Sequence, residues 1–453
     1  MRRFLLPLAM VLNACVPMSG SNTASRTMIA ETTLPPMKTF AARVPAAPPV
    51  SNRALVRDFL DLSFQLESGR PLPVMTRFEE PISLRVTGVA PATLMPDLRA
   101  LLGRLQKEAG ISIALTDQSS ANITIEMVSL DEIHRVLPQA ICFVAPNVSS
   151  LREFKQARRS PRTDWATLTT REQLAIVIPR DVSPQEIRDC LHEELAQALG
   201  PLNDLYKLPN SVFNDDNVHT VLTRFDMLVL RATYAPELRS GMRRDEVSEV
   251  LPSILRRLNP GGEFGAAPPP SPTPQAYIEA IQEALGPGAS AAARRAAAKD
   301  ALTIARTENW QDSRLGFAHY ALGRALQATD ARAAHQQFQQ ADAVYGRSRA
   351  TRLHRAFVAT QLAAYALTAG DPARARAIVA PQIPHAREAQ NAALLATLQL
   401  LNAQALETEG KITKANAERL DSLGWARYGF GADWAVESKL REISALNQSA
   451  PPV

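Results

Sequence analysis

The chain has 453 residues, 46% of them hydrophobic, and its 50 basic and 45 acidic side chains leave a formal charge of +5. That is apolar material for sizeable cores and for more than one domain, which excludes a disordered protein. The excess positive charge is scattered, without the dense basic block or interleaved aromatics of a nucleic-acid groove, so no nucleic acid is expected as a partner.

The first residues read MRRFLLPLAMVLNAC: Arg2 and Arg3, an apolar run from Phe4 to Leu12, then Ala14 before Cys15. The run is too short for a permanent membrane span and has the layout of an export signal. Leu12-Asn13-Ala14-Cys15 resembles a bacterial lipobox. The resemblance implies removal of residues 1–14, lipidation of Cys15 and a membrane anchor in the cell envelope, facing the periplasm. Val16, in place of Asp, implies the outer membrane. An ordinary secretory signal cleaved nearby is the alternative. Residues 15–50 are rich in Ser, Thr, Pro and Ala and read as a disordered tether.

Residues 51–262 show a mixed pattern, expected to fold as α+β. The apolar spacing predicts a helix over 54–66, a strand at SLRVTG from Ser83, an amphipathic helix in MPDLRALLGRLQKEAG, and strands at ISIAL, ITIEMV, ICFVAP and LAIVIP. Ser183-Pro184-Gln185-Glu186 then supplies an N-cap, a first-turn proline and a Glu three residues on, which opens a helix that Gly200 closes. Apart from Cys15, two cysteines remain, Cys142 and Cys190. In an oxidising compartment they suffice for one disulfide tying ICFVAPN to that helix; two buried free thiols are the alternative.

The helix carries HEELAQALGPLND, His192 to Asp204. Its best register on the metzincin template H-E-x-x-H-x-x-G-x-x-H puts Glu194 on the catalytic Glu and Gly200 on the turn. The three ligand positions then hold Glu193, Gln197 and Asn203, and Phe213 stands where such proteases carry a turn methionine. Amides are weak zinc ligands, so the expectation is no resident metal, and Mg, Ca or Mn rather than zinc if an ion binds. Ile187, Cys190, Leu191, Leu195 and Ala198 form the apolar stripe, and Glu194 falls within it. Burial should raise its pKa unless Arg188, Arg224 or Arg231 pairs with it. Glu193 and Gln197, four apart, can equally be a solvated face. Two weaker candidates are Asn214-Asp215-Asp216-Asn217, as calcium ligands or turn-forming residues, and His192 with His219, meeting over a metal with Asp204 or Asp216.

DCLHEELAQALGPLNDLYKLPNSVFNDDNVHTVLTRFDML, followed by YAPELRSGM, resembles the bacterial domain of unknown function 2927 family, with its E-E-x-x-Q-x-x-G core, over about Asp58 to Gly262. The resemblance implies an uncharacterised, zincin-related domain without demonstrated activity.

Proline-rich EFGAAPPPSPTPQ, residues 263–275, reads as a linker. Beyond it, over 276–447, the pattern is all-α. ALQATDARAA, ALTAGDPARA and ALETEGKITKA recur at roughly 40-residue spacing as turns between helices. HYALGRAL and AAYALTAGDPARA resemble tetratricopeptide helices, and LGWARYGFGADW reads as an end cap. The combination leads to an envelope lipoprotein with a non-catalytic, zincin-shaped domain and a protein- or peptide-binding helical array, in a scaffold or assembly role. The alternative is a metal-dependent hydrolase of peptide or cell-wall material with Glu194 as general base.

Overall fold

The structure is a computed structural model that describes residues 34–40, 50–263 and 271–447. Residues 1–14, read as an export signal, and Cys15 lie outside the described residues. No described helix is long and apolar enough to cross a membrane.

The N-terminal region starts with α1 (Asn52–Ser63) and β1 (Ile82–Gly88), followed by α2 (Leu94–Arg104), which runs on as a π-helical turn to Ala109. Then come β2 (Ile113–Leu115), β3 (Ile123–Val128), α3 (Leu130–His134), β4 (Phe143–Pro146), α4 (Leu151–Ala157) and β5 (Leu174–Pro179). Three helices complete it: α5 (Pro184–Leu199), α6 (Arg224–Thr233) and α7 (Arg244–Leu258).

The sheet has the order β2-β1-β3-β5-β4. All pairings are parallel except that of β4 with β5, which sets Phe143 opposite Val177 at one edge. Strand β5, LAIVIP, reads as an unbroken apolar run because both of its faces are covered. On β5, Leu174, Ile176 and Ile178 face the main core, where α1, α2, α5, α6 and α7 pack. The alternate residues Ala175 and Val177 face α3 and α4 on the other side. Gly88 ends β1 at φ +81°, where a Cβ would stand 2.3 Å from the Met127 carbonyl oxygen.

The C-terminal region is helical throughout: α8 (Gln275–Leu285), α9 (Ala291–Thr307), α10 (Ser313–Leu326), α11 (Ala331–Tyr345), α12 (Arg352–Thr368), α13 (Pro372–Val379), α14 (Ile383–Glu388), α15 (Ala392–Thr408), α16 (Ile412–Phe430) and α17 (Asp433–Ser444). The recurring motifs are indeed turns between helices. Asp330 and Asp371 cap α11 and α13 through the backbone N–H groups of Ala333 and Arg374, and Gly370 and Gly410 take positive φ. Small residues let the helices approach closely. A Cβ on Gly429 of α16 would lie 2.4 Å from the Ala393 nitrogen of α15. In the block read as an end cap, Trp425 and Tyr428 are buried in the core, whereas Trp434 is 72% exposed.

The two regions meet over an extensive seam. The Gln185 amide of α5 donates to Asn391 Oδ1 at 3.2 Å and accepts from the Ala393 N–H at 2.9 Å. Tyr428 Oη donates to Asp97 Oδ2 at 2.6 Å, and His354 Nε2 meets Asp216 Oδ2 at 2.8 Å with both side chains buried. Tyr206 and Val218 enter the helical cores themselves.

Part of the segment read as disordered departs from that expectation. Residues 34–40 lie along α16, with the Lys38 N–H donating to the Gly424 carbonyl at 3.0 Å and Arg427 Nη1 donating to the Pro35 carbonyl at 3.0 Å. Phe40 stacks on Trp425 with centroids 4.4 Å apart, and the Arg188 guanidinium lies 5.7 Å from the Phe40 ring. Composition reads such a stretch as unable to form its own core; here one phenylalanine borrows an aromatic platform from α16.

Candidate functional site

Helix α5 begins as its residues require. Ser183 Oγ accepts from the Glu186 N–H at 3.1 Å, and Pro184 occupies the first turn, where no N–H is needed. The Glu186 side chain does not complete the box by reaching back; it lines a cleft instead.

The far end of α5 is held by a residue that periodicity did not single out. Arg171, 3% exposed, donates from Nη1 to the Gln197 carbonyl and from Nη2 to the Gly200 carbonyl, both at 2.5 Å, and from Nε to Thr76 Oγ1 at 3.1 Å. A cation on the last carbonyls suits the negative end of the helix dipole. Burial lowers the Arg171 pKa to about 10, still far above neutrality. Gly200 has extended backbone, with φ −168°. Its smallness serves close packing: a Cβ would lie 3.1 Å from Thr233 Cγ2 of α6.

The disulfide Cys142–Cys190 is formed, with Cα atoms 5.9 Å apart, and fastens α5 to the segment entering β4. Between β4, α5, the loop after α5 and the helical region lies a cleft of about 1220 Å³. Eight carboxylates line it, Glu67, Glu186, Asp189, Glu193, Glu194, Asp204, Asp215 and Glu442, against the cations Arg324 and Lys439. The whole chain carries more basic than acidic residues, so this concentration is not a reflection of composition.

Glu194 is 5% exposed and its Oε2 has no hydrogen-bond partner. Burial, then the nearby Glu193 and Glu67 charges, push its carboxyl well above the usual range. Burial raises Glu193 to about 8, with Glu67, Asp215 and Glu186 adding to the shift. Asp189 and Asp204 are raised in the same way, each with an unpartnered Oδ1. Glu67, at the exposed mouth, accepts from Gln197 Nε2 at 3.4 Å and is also raised by burial of its carboxyl. None of the three arginines weighed as partners satisfies Glu194. Arg188 turns to Gln390 and Phe40, and Arg224 and Arg231 are exposed.

The three metzincin ligand positions do not converge. Glu193 and Gln197 line the cleft, but Asn203 is 5% exposed and spends its amide on the Asp61 carbonyl of α1, at 3.0 Å. Phe213 is a core residue without exposure. The described residues contain no group of three His, Cys, Asp or Glu side chains spaced to hold an ion. The amide pair and Asn203's other engagement do not fit a resident zinc.

The other candidates separate as well. His192 Nδ1 accepts from the Leu222 N–H at 3.1 Å, so its proton sits on Nε2, and burial holds its pKa well below 6.5. His219 Nε2 contacts the Pro209 carbonyl at 3.0 Å and packs against the His354 ring. Asn214–Asn217 is a turn. The Asn214 amide donates to Asp216 Oδ2 at 2.8 Å, the Val218 N–H donates to Asp216 Oδ1 at 3.1 Å, and Asn217 takes φ 54°. Asp215 accepts from Tyr206 Oη at 2.8 Å and lines the cleft. Asp226, fully buried, accepts from Ser211 Oγ and from the N–H groups of Val212 and Thr223, which secures the loop between α5 and α6. Its place three residues after Thr223 is the sequence signal of a capping box.

Residues 52–253 match the family model described as Protein of unknown function (DUF2927). That region, rather than the whole chain, is similar to the DUF2927 family. No curated protein and no solved structure matches the chain. The DUF2927 match contains α5 and most of the carboxylates of the cleft, while the wall opposite, with Tyr320, Phe357, Gln361 and Asn391, lies beyond it.

Proposed function

We propose that this chain is a lipid-anchored envelope protein whose DUF2927 region and helical array together bind a positively charged ligand in the cleft between them, in a scaffold or assembly role. The lipobox-like Leu12-Asn13-Ala14-Cys15 supports the anchor and the outer-membrane location, and the disulfide suits the oxidising side of a membrane. The observation that carries the binding role is the unpartnered Oε2 of Glu194 within a cleft of eight carboxylates and two cations. A ligand ammonium or guanidinium donates the hydrogen bonds that the protein itself leaves unmade, and its charge favours ionisation of the carboxyls around it. The element order of strands, α5, glycine turn and α6 supports the zincin-related reading, and the helix pairs of the array support the tetratricopeptide-like one.

The test is calorimetric titration of the mature protein with the capped dipeptide Ac-Lys-Ala-NH2. Binding should release protons at pH 7–8, weaken with salt and fall at least about tenfold in E193Q/E194Q, a neutral isosteric change. No binding, or binding indifferent to the double substitution, overturns the reading.

The raised pKa of Glu194 favours one second reading, a hydrolase of peptide or cell-wall material. Burial favours the protonated form of such a carboxyl, which suits a general acid better than a general base. Glu194→Gln would then abolish turnover with Tm held within a few degrees, and retained turnover would remove Glu194 from the chemistry.

A further inference from the structure

The cleft does not end at Asp215. A second cavity of about 880 Å³ opens along α8 and α10, and it shares Gln139, Asp215, Asn217, Tyr320 and Arg324 with the first. The shared residues make one groove of the two. The first cavity alone exceeds the ~300–1,000 Å³ typical of small-ligand pockets, and the second adds a comparable length. In the second lobe Glu279 and Glu283, four apart on α8, present exposed carboxylates from one helix face. Gln282 of the same helix donates to Asp215 Oδ2 at 3.4 Å, so Asp215 stands at the junction of the lobes, braced by Tyr206 from the other side.

Resting on the reading of the cleft as a cation site, we infer that the ligand is an extended basic polypeptide segment, running from Glu193 and Glu194 past Asp215 to Glu279 and Glu283. Three features of the walls fit a polypeptide. Carboxylates recur along the groove, matching basic side chains at intervals rather than one isolated charge. Amide side chains, among them Gln139 and Asn217, are exposed where the two lobes meet and pair with peptide N–H and carbonyl groups, as Asn and Gln can do both. Apolar surface from Ile141, 44% exposed, and Phe357 takes the uncharged side chains between. Arg324, whose Nη1 donates to Tyr320 Oη at 3.2 Å, places a donor for ligand carbonyls at the junction.

The experiment uses the full mature chain and three probes: Ac-Lys-Ala-NH2, the octapeptide Ac-(Lys-Ala)4-NH2, and a glucosamine octamer as an amine polymer without peptide bonds. The octapeptide should bind about twentyfold tighter than the dipeptide at equal salt, through rim pairings that reinforce one another on one chain. E279Q/E283Q, at exposed positions remote from Glu194, should weaken the octapeptide about fivefold and leave the dipeptide unchanged. A dipeptide that binds while the octapeptide gains nothing, or a gain indifferent to E279Q/E283Q, overturns the extended groove and leaves the cation site standing. A glucosamine octamer that matches the octapeptide overturns the polypeptide assignment. Failure of both peptides removes the underlying reading itself.

Discussion

Glu193 and Glu194 are adjacent on one helix yet differ in what surrounds them, and both hold protons that an exposed carboxyl would release. The consequence for stability has a definite sign. A carboxyl whose pKa is higher folded than unfolded binds more protons in the native state, so its contribution is complete below the unfolded value and is lost as pH rises through the folded one. For Glu193 that window runs from the ordinary 4.5 to about 8. The buried neutral histidines act oppositely. His192 is held well below 6.5 and His219 at about 4, so they weaken the fold only under acid conditions, below 6.5. Between pH 6.5 and about 8 the carboxyl contribution is therefore exposed alone, and thermal melts should show Tm falling across that interval. Glu193→Gln removes one titrating group and should flatten the decline measurably; a slope identical to wild type would show that Glu193 does not carry it.

At the scale of elements, α5 is fixed at three points: Ser183 at its start, the disulfide in its middle and Arg171 at its end. Arg171→Met keeps much of the volume but leaves the Gln197 and Gly200 carbonyls without their donor, at a cost of about 3 kcal/mol. Chemical denaturation should record that loss, and hydrogen exchange should be faster in the last turn of α5 than at its capped start. An unchanged unfolding midpoint would mean that water or another donor replaces the guanidinium. The element boundaries were largely legible beforehand. Strand runs such as LAIVIP and the Ser183-Pro184 start express local patterns, and a local pattern is what periodicity and capping report. The Arg171 clamp was not legible, because its partners are main-chain carbonyls 26 and 29 residues away. No side-chain pattern marks a carbonyl.

At the scale of the whole molecule, the seam between the DUF2927 region and the helical array decides what the cleft is. Asp216 and His354 meet there with side chains 4% and 1% exposed. Asp216→Asn removes the charge from a desolvated contact and should cost about 2 kcal/mol. Hydrogen exchange should accelerate in α12 and in residues 210–220, while β3 and β5 stay protected; uniform acceleration would argue that the seam has no separate identity. Gln185, on the candidate helix itself, bonds to Asn391 and Ala393, so changes in the array are felt directly on α5.

The amino-acid sequence determined the α+β pattern followed by helices, the family core around Glu193, Glu194, Gln197 and Gly200, the burial of Glu194 and the availability of two cysteines for one bridge. These follow from near neighbours along the chain, where spacing of three or four residues defines a helix face and alternation defines a strand. Only the tertiary structure decided that Asn203 turns to α1, that the histidines go separate ways, and that carboxylates as far apart in the chain as Glu67, Asp215 and Glu442 line one cavity. The raised pKa values of Glu67 and Asp215 come first from desolvation, and desolvation is a property of enclosed space that exists only once distant segments have packed together.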